Sequence, residues 1–78
     1  MTIKEAIAQA KSVSNWSVVD YEPATVNIGF FNLEDDREDE TQLETFGNDH
    51  EKELDDLWDT LCKELGSSKS SVLYVEVL

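Results

Sequence analysis

Asn48-Asp49-His50-Glu51-Lys52-Glu53-Leu54-Asp55-Asp56-Leu57-Trp58-Asp59-Thr60-Leu61-Cys62-Lys63-Glu64-Leu65-Gly66 is the stretch whose reading decides the fold. Leu54, Leu57, Trp58, Leu61 and Leu65 recur at helical spacing and fall on one stripe, with charged residues elsewhere. Gly47-Asn48 supplies a break and an N-cap, Glu51 stands three residues after Asn48, and Gly66 is placed to terminate the helix. The spacing therefore predicts a helix from about Asp49 to Leu65. Burying the five apolar side chains contributes about 8 to 15 kcal/mol gross, at roughly 1.5 to 3 kcal/mol each. For a short chain that is a large part of the core, and Trp58→Ala is expected to damage folding.

The remaining elements are read outward from this helix. Toward the N-terminus, Thr2 and Glu5 form a capping box, and Ile3, Ala6, Ile7 and Ala10 predict a short amphipathic helix over residues 3–11. It is too short to be stable alone and must pack on something. Between the two helices the residue types turn β-branched and aromatic. Trp16 to Glu22 and Thr25 to Leu33 read as two antiparallel strands joined by Glu22-Pro23-Ala24-Thr25. Val26, Ile28 and Phe30 alternate, and the phase then shifts to Phe31 and Leu33 at Gly29, which suggests a bulge or a strand covered on both faces.

Glu34-Asp35-Asp36-Arg37-Glu38-Asp39-Glu40 is seven charged residues in a row and reads as a solvated loop, with Thr41 to Thr45 returning as a third strand. Beyond the second helix, Ser67 to Ser71 reads as a polar linker. Val72 to Leu78 reads as a strand with apolar residues at both parities, hence a central one. The expected architecture is α+β: a two-layer α-β-β-(β)-α-β domain over residues 1–78, with two helices on one face of a three- or four-stranded, mostly antiparallel sheet.

A chain of 78 residues allows one domain, and one this small buries only about 60% of its unfolded surface. Its charge is concentrated. Residues 34–59 hold 13 acids and two bases, which is −11 of the net −12. Direct binding to nucleic acid or to anionic lipid needs Lys and Arg to replace counterions, so neither is expected. A basic protein is the natural complement. Cys62 is the only cysteine, so no intrachain disulfide and no thiol-based metal site is expected, and it reads as a small buried or boundary residue of the second helix, not a nucleophile. Met1 to Val13 is amphipathic and does not read as a signal peptide. No apolar run approaches the ~18 residues of a membrane span, so the expected location is cytoplasmic.

Catalysis requires converging groups of different chemistry, and few are offered. His50 is the only histidine, and its place in a first helical turn reads as exposed surface. The run from Asp35 to Glu40 is rich in oxygen ligands, but Arg37 interrupts it and Thr41 stands where a calcium loop beginning at Asp36 needs Gly. No catalytic residue, metal site or cofactor is expected, and the chain reads as a non-enzyme.

The acidic surface remains. It either keeps a small protein in solution or forms a recognition face. Asp49, Glu51, Glu53, Asp55, Asp56 and Asp59 spread six carboxylates along about 15 Å of helix, one per ~2.5 Å. Duplex DNA presents one phosphate per ~1.7 Å, a comparable density. Packing like charges this closely costs about 1 kcal/mol per pair at 4 Å even in water, which solubility alone does not require. The candidate partner-binding residues are therefore Asp49, Glu51, Asp55, Asp56 and Asp59 on the helix, with Asp35, Asp36 and Asp39 from the charged run.

Leu54-Asp55-Asp56-Leu57-Trp58-Asp59-Thr60-Leu61 resembles a helix of the barstar family of acidic ribonuclease inhibitors. The resemblance implies that Asp55 and Asp59 match acids that enter a nuclease active site. It covers eight of the 78 residues. What precedes it differs: another helix and a loop there, a β-rich segment and a charged run here, so membership is not inferred. The expected function is a non-enzymatic acidic interaction module that docks on a basic protein, with a nucleic-acid-mimicking inhibitor as its sharpest form. The alternative is a structural or accessory subunit of a homodimer or larger assembly.

Overall fold

A computed structural model of the chain describes residues 1–64 and 71–78. Leu65, Gly66 and the expected linker as far as residue 70 lie outside the described residues. Helix α1 spans Ile3–Ser12, and its capping box is formed: Glu5 N donates to Thr2 Oγ1 at 3.1 Å and Thr2 N donates to Glu5 Oε1 at 3.0 Å. Strands β1 (Ala24–Asn32), β2 (Arg37–Thr45) and β3 (Ser71–Val77) build one antiparallel sheet in the order β2-β1-β3. Helix α2 spans His50–Glu64. The α+β layout of two helices and a three-stranded antiparallel sheet matches the expected class.

One contiguous core lies between the sheet and the two helices. Strand alternation sends Val26, Ile28 and Phe30 of β1 to the same face, where they meet Ile3, Ala6, Ile7 and Ala10 of α1, Leu54, Trp58 and Cys62 of α2, and Val72 and Val75 of β3. Phe30 and Trp58 stack edge to face with centroids 5.2 Å apart. That contact sets the direction of α2 along the sheet. Its first residue, His50, stands at the Thr45 end of β2, and Trp58 stands level with Phe30, toward the turn that joins β1 to β2.

Four expectations are corrected. Trp16 to Glu22 is a loop, not a strand. Its backbone bonds locally and to another loop: Glu22 N donates to Val19 O at 3.2 Å and Tyr21 N to Gly47 O at 2.9 Å. β-Branched and aromatic side chains suit any half-buried surface, and here Trp16 packs on the rim of the core without joining the ladder.

The charged run is not all loop. Only Leu33 to Asp36 make the turn, with the Asn32 side-chain oxygen accepting from Glu34 N at 3.0 Å and Asp35 N at 3.3 Å, and β2 begins at Arg37. β2 is an edge strand, so it can carry consecutive charges: Glu38, Glu40, Gln42 and Glu44 face outward, and Asp39, Thr41, Leu43 and Thr45 share the face of the helices.

β3 is also an edge strand, because β1 holds the centre. Its apolar residues at both parities come from a bulge. Gly29 pairs with Tyr74 but Phe30 pairs with Val72, so Leu73 is an extra residue that resets the phase and brings Val72 and Val75 to the same face. The irregularity expected at Gly29 is therefore present, with the inserted residue in the neighbouring strand. The outer edge of β3 is met at two points, where Val72 N donates to Met1 O at 3.0 Å and Val77 N donates to Asn15 O.

Helix α2, finally, is capped by Asp49 instead of Asn48: Lys52 N donates to Asp49 Oδ1 at 3.1 Å. Its buried stripe is His50, Leu54, Trp58 and Cys62, strictly four apart, while Leu57 and Leu61 are half-buried at its margin.

A candidate protein-interaction surface

The five acids expected on the second helix do not all stand alike. Glu51, Asp55 and Asp59 succeed one another at four-residue steps and form a ladder along the flank of α2. Its two ends are matched by cations. Lys11 of α1 pairs with Glu51, and Lys63 pairs with Asp59 at 3.0 Å. Asp55 in the middle and Asp56 beside it form no ion pair among the described residues. Asp49 is partly occupied as the cap. Together with Lys4 and Lys52, the side chains of Asp49, Glu51, Asp55 and Asp56 line a shallow open depression on this part of the surface.

Asp35 and Asp36 lie in the β1–β2 turn, and Asp39 lies on β2 opposite Phe30. Asp35 and Asp39 lie 3.7 and 3.9 Å from the Arg37 guanidinium, and Asp36 takes a left-handed backbone (φ 50°) in the turn. Asp49 at the cap of α2 and the β1–β2 turn sit at opposite ends of the sheet, and α2 runs between them, so that Asp59, next to Trp58, stands toward the turn end.

A second acidic surface escaped the sequence reading. The sheet face away from the helices carries Glu38, Glu40 and Glu44 of β2 and Glu76 of β3, with Thr25, Asn27 and Phe31 of β1 between them. The alternation of Glu38, Glu40, Gln42 and Glu44 was the available signal, hidden because a run of charges suggested a loop. On this face the Tyr74 ring lies over Gly29, in the space a side chain there would take, and its hydroxyl donates to Glu40. Asn27, buried, donates to Glu76 at 3.2 Å. The hydrogen bond to Glu40 raises the Tyr74 phenol above its usual value, and the carboxylate charges of Glu40 and Glu76 push the same way.

His50 is the clearest departure from expectation: it is only 2% exposed. Because Leu54, Trp58 and Cys62 follow at four-residue steps, His50 falls on the buried stripe, which was the signal in the sequence. Its Nε2–H donates to the Val19 carbonyl at 3.1 Å, leaving Nδ1 to accept from the Thr45 hydroxyl at 2.7 Å. Both ring nitrogens are thus used in holding a loop and a strand end together. Among the described residues no group of three or more His, Cys, Asp or Glu side chains is arranged to hold a metal ion, and no helix is long and apolar enough to cross a membrane.

Compared with known protein families, curated proteins and solved structures, the chain matches none.

Proposed function

We propose that this protein is a non-enzymatic acidic interaction module that docks on a basic protein through the outer flank of α2, acting in its sharpest form as a nucleic-acid-mimicking inhibitor. The observation that carries the reading is the ladder Glu51, Asp55, Asp59 with Asp56 beside it, on a helix anchored by Leu54 and Trp58. Carboxylates on an anchored helix keep fixed spacings, which a partner built for phosphates can recognise, whereas carboxylates on a loop must first be ordered. Like-charge neighbours four apart on a helix repel, and among the described residues ion pairs close only the two ends of this ladder, while Lys4 and Lys52 line the depression beside Asp55 and Asp56 without pairing with them. A basic partner would relieve the middle.

The test is charge reversal. Asp55, Asp56 and Asp59 changed together to Lys should abolish capture of a basic protein from the source cells at about 0.1 M salt while the fold is kept. Capture by the unaltered protein should fade as salt approaches ~1 M, where the Debye length falls from ~10 to ~3 Å. A partner retained equally at both salts and by the reversed variant would remove the acidic flank from the account. Self-association that persists with no basic partner would favour the accessory-subunit alternative.

A further inference from the structure

We propose that the end of the molecule bearing Val19, Tyr21 and Phe46 is an apolar docking point for a basic protein segment, one that inserts an apolar side chain between flanking Lys or Arg residues. The proposal rests on the acidic-module reading and adds to it the place where a partner is anchored.

Three apolar side chains are exposed where two loops meet: Val19 is 59%, Tyr21 69% and Phe46 58% exposed. The loops are joined by the Tyr21 N to Gly47 O hydrogen bond at 2.9 Å, and His50 ties the Val19 carbonyl of one to Thr45, the last residue of β2, from which the other begins. Phe46 N donates to the Glu53 carboxylate at 3.0 Å, a further fixed point. The display is therefore built on bonds, one set of them buried.

Tyr21 is the more telling residue. It is the third residue of a turn closed by Glu22 N and Val19 O, and its φ is 65°, a conformation that suits Gly or Asn and disfavours a bulky side chain. An aromatic that buries little of itself and occupies backbone that penalises it does not serve the fold. Strained, exposed residues of this kind gather at binding sites.

The surroundings select the occupant. Asp20, Glu22, Glu44 and Asp49 are exposed and flank the three apolar residues along the chain. A second copy would bring the same acids against them, and an anionic lipid surface would be repelled. A basic segment with an apolar plug satisfies both the centre and the rim, the usual arrangement of an apolar anchor within a polar border.

The test uses two labelled helical peptides of equal positive charge, one of Lys and Leu with the leucines on one face, the other with Ser in place of each Leu. Binding to the full chain is followed by fluorescence anisotropy at about 0.1 and about 0.5 M salt. The Lys/Leu peptide should bind about tenfold or more tighter than the Lys/Ser peptide, a difference of at least ~1.4 kcal/mol. The double variant Tyr21→Gly with Phe46→Ser should bring that ratio near one. Its melting temperature should hold or rise, because Gly relieves the turn. Asp55, Asp56 and Asp59 changed to Lys should weaken both peptides and keep the ratio.

A ratio near one for the unaltered protein, or one that the double variant leaves intact, overturns the docking point while the acidic-module reading stands. Failure of the Lys/Ser peptide to bind even at low salt counts against the acidic flank instead. A dimer in sedimentation that the double variant dissociates would give the patch to a second copy and overturn the basic partner.

Discussion

The His50 imidazole and the Thr45 hydroxyl face each other at 2.7 Å inside the core, and through the other ring nitrogen the same imidazole holds the Val19 carbonyl. Thr45→Val leaves Nδ1 buried without a donor and should cost about 1–3 kcal/mol. His50→Leu leaves the buried Thr45 hydroxyl without an acceptor, while the Val19 carbonyl keeps its bond from Glu22 N, and should likewise cost about 1–3 kcal/mol. Urea denaturation of the two variants reads both losses. Midpoints equal to that of the unaltered protein would mean the imidazole adds nothing to stability.

Trp58 is the largest side chain of the core and the partner of Phe30. Trp58→Ala should lose about 3–5 kcal/mol. A domain of this length has roughly 4–12 kcal/mol in total, at about 0.05–0.15 per residue, so the variant should be largely unfolded on mild warming. Trp58→Phe keeps an aromatic pair and should retain a cooperative transition in far-UV circular dichroism.

Gly29 and Tyr74 should fail additivity. A methyl group at position 29 occupies the place of the Tyr74 ring, so Gly29→Ala must push the ring away and break its bond to Glu40. In Tyr74→Ser the same methyl has room and should gain from reduced freedom of the unfolded chain. A double-mutant cycle should return a coupling of about 0.5–3 kcal/mol, and an additive cycle would contradict the stacked geometry.

The Tyr74 phenol also gives an alkaline signature. Its hydrogen bond to Glu40 raises it above the ordinary 10.0, so the folded protein holds that proton more tightly than the unfolded chain. The associated stability is full below pH 10.0 and is lost as pH rises through the folded-state value. In a Tyr21→Phe background, absorbance titration should find the remaining phenol ionising late. Glu40→Gln should move it back toward the ordinary value.

Glu5 acts on the acid side. Its hydrogen bonds from the Thr2 backbone and side chain hold its carboxyl below the ordinary 4.5. The stability it supplies is therefore complete above pH 4.5 and is lost as pH falls through the lower, folded value. The melting-temperature gap between the unaltered protein and Glu5→Gln should be widest above pH 4.5 and should narrow below it.

Local signals were legible where the chain's own neighbours decide the outcome. The Thr2–Glu5 box, the four-step stripe of α2 and the alternation of Val26, Ile28 and Phe30 each rest on residues a turn or two apart. What was not legible depends on pairing. Nothing local to Val72–Leu78 says that Leu73 is inserted opposite the Gly29–Phe30 step, so apolar residues at both parities imitated a strand covered on both faces. Arg37 to Glu40 looked like loop because charge was weighed before alternation. Trp16 to Glu22 has the composition of a strand, yet no ladder position is left for it beside β3, whose outer edge already meets Met1 and Asn15. Of the candidate site, the helix acids were readable from spacing, whereas the outer sheet face appears only once β2 and β3 flank β1.

The free edge of β2 gives the carboxylates a further consequence. An unpaired strand edge is a template on which another chain can add a strand, and β2 is nine residues long and pairs on its outer side with no other strand among the described residues. Glu38, Asp39, Glu40 and Glu44 act there as gatekeepers, since a second copy aligned on this edge would set its own carboxylates beside them. Neutralising them as Gln and Asn would leave the core untouched and open a route to fibrillar aggregation. The carboxylates of this strand therefore oppose edge-to-edge addition of a further strand, apart from any part they play in binding.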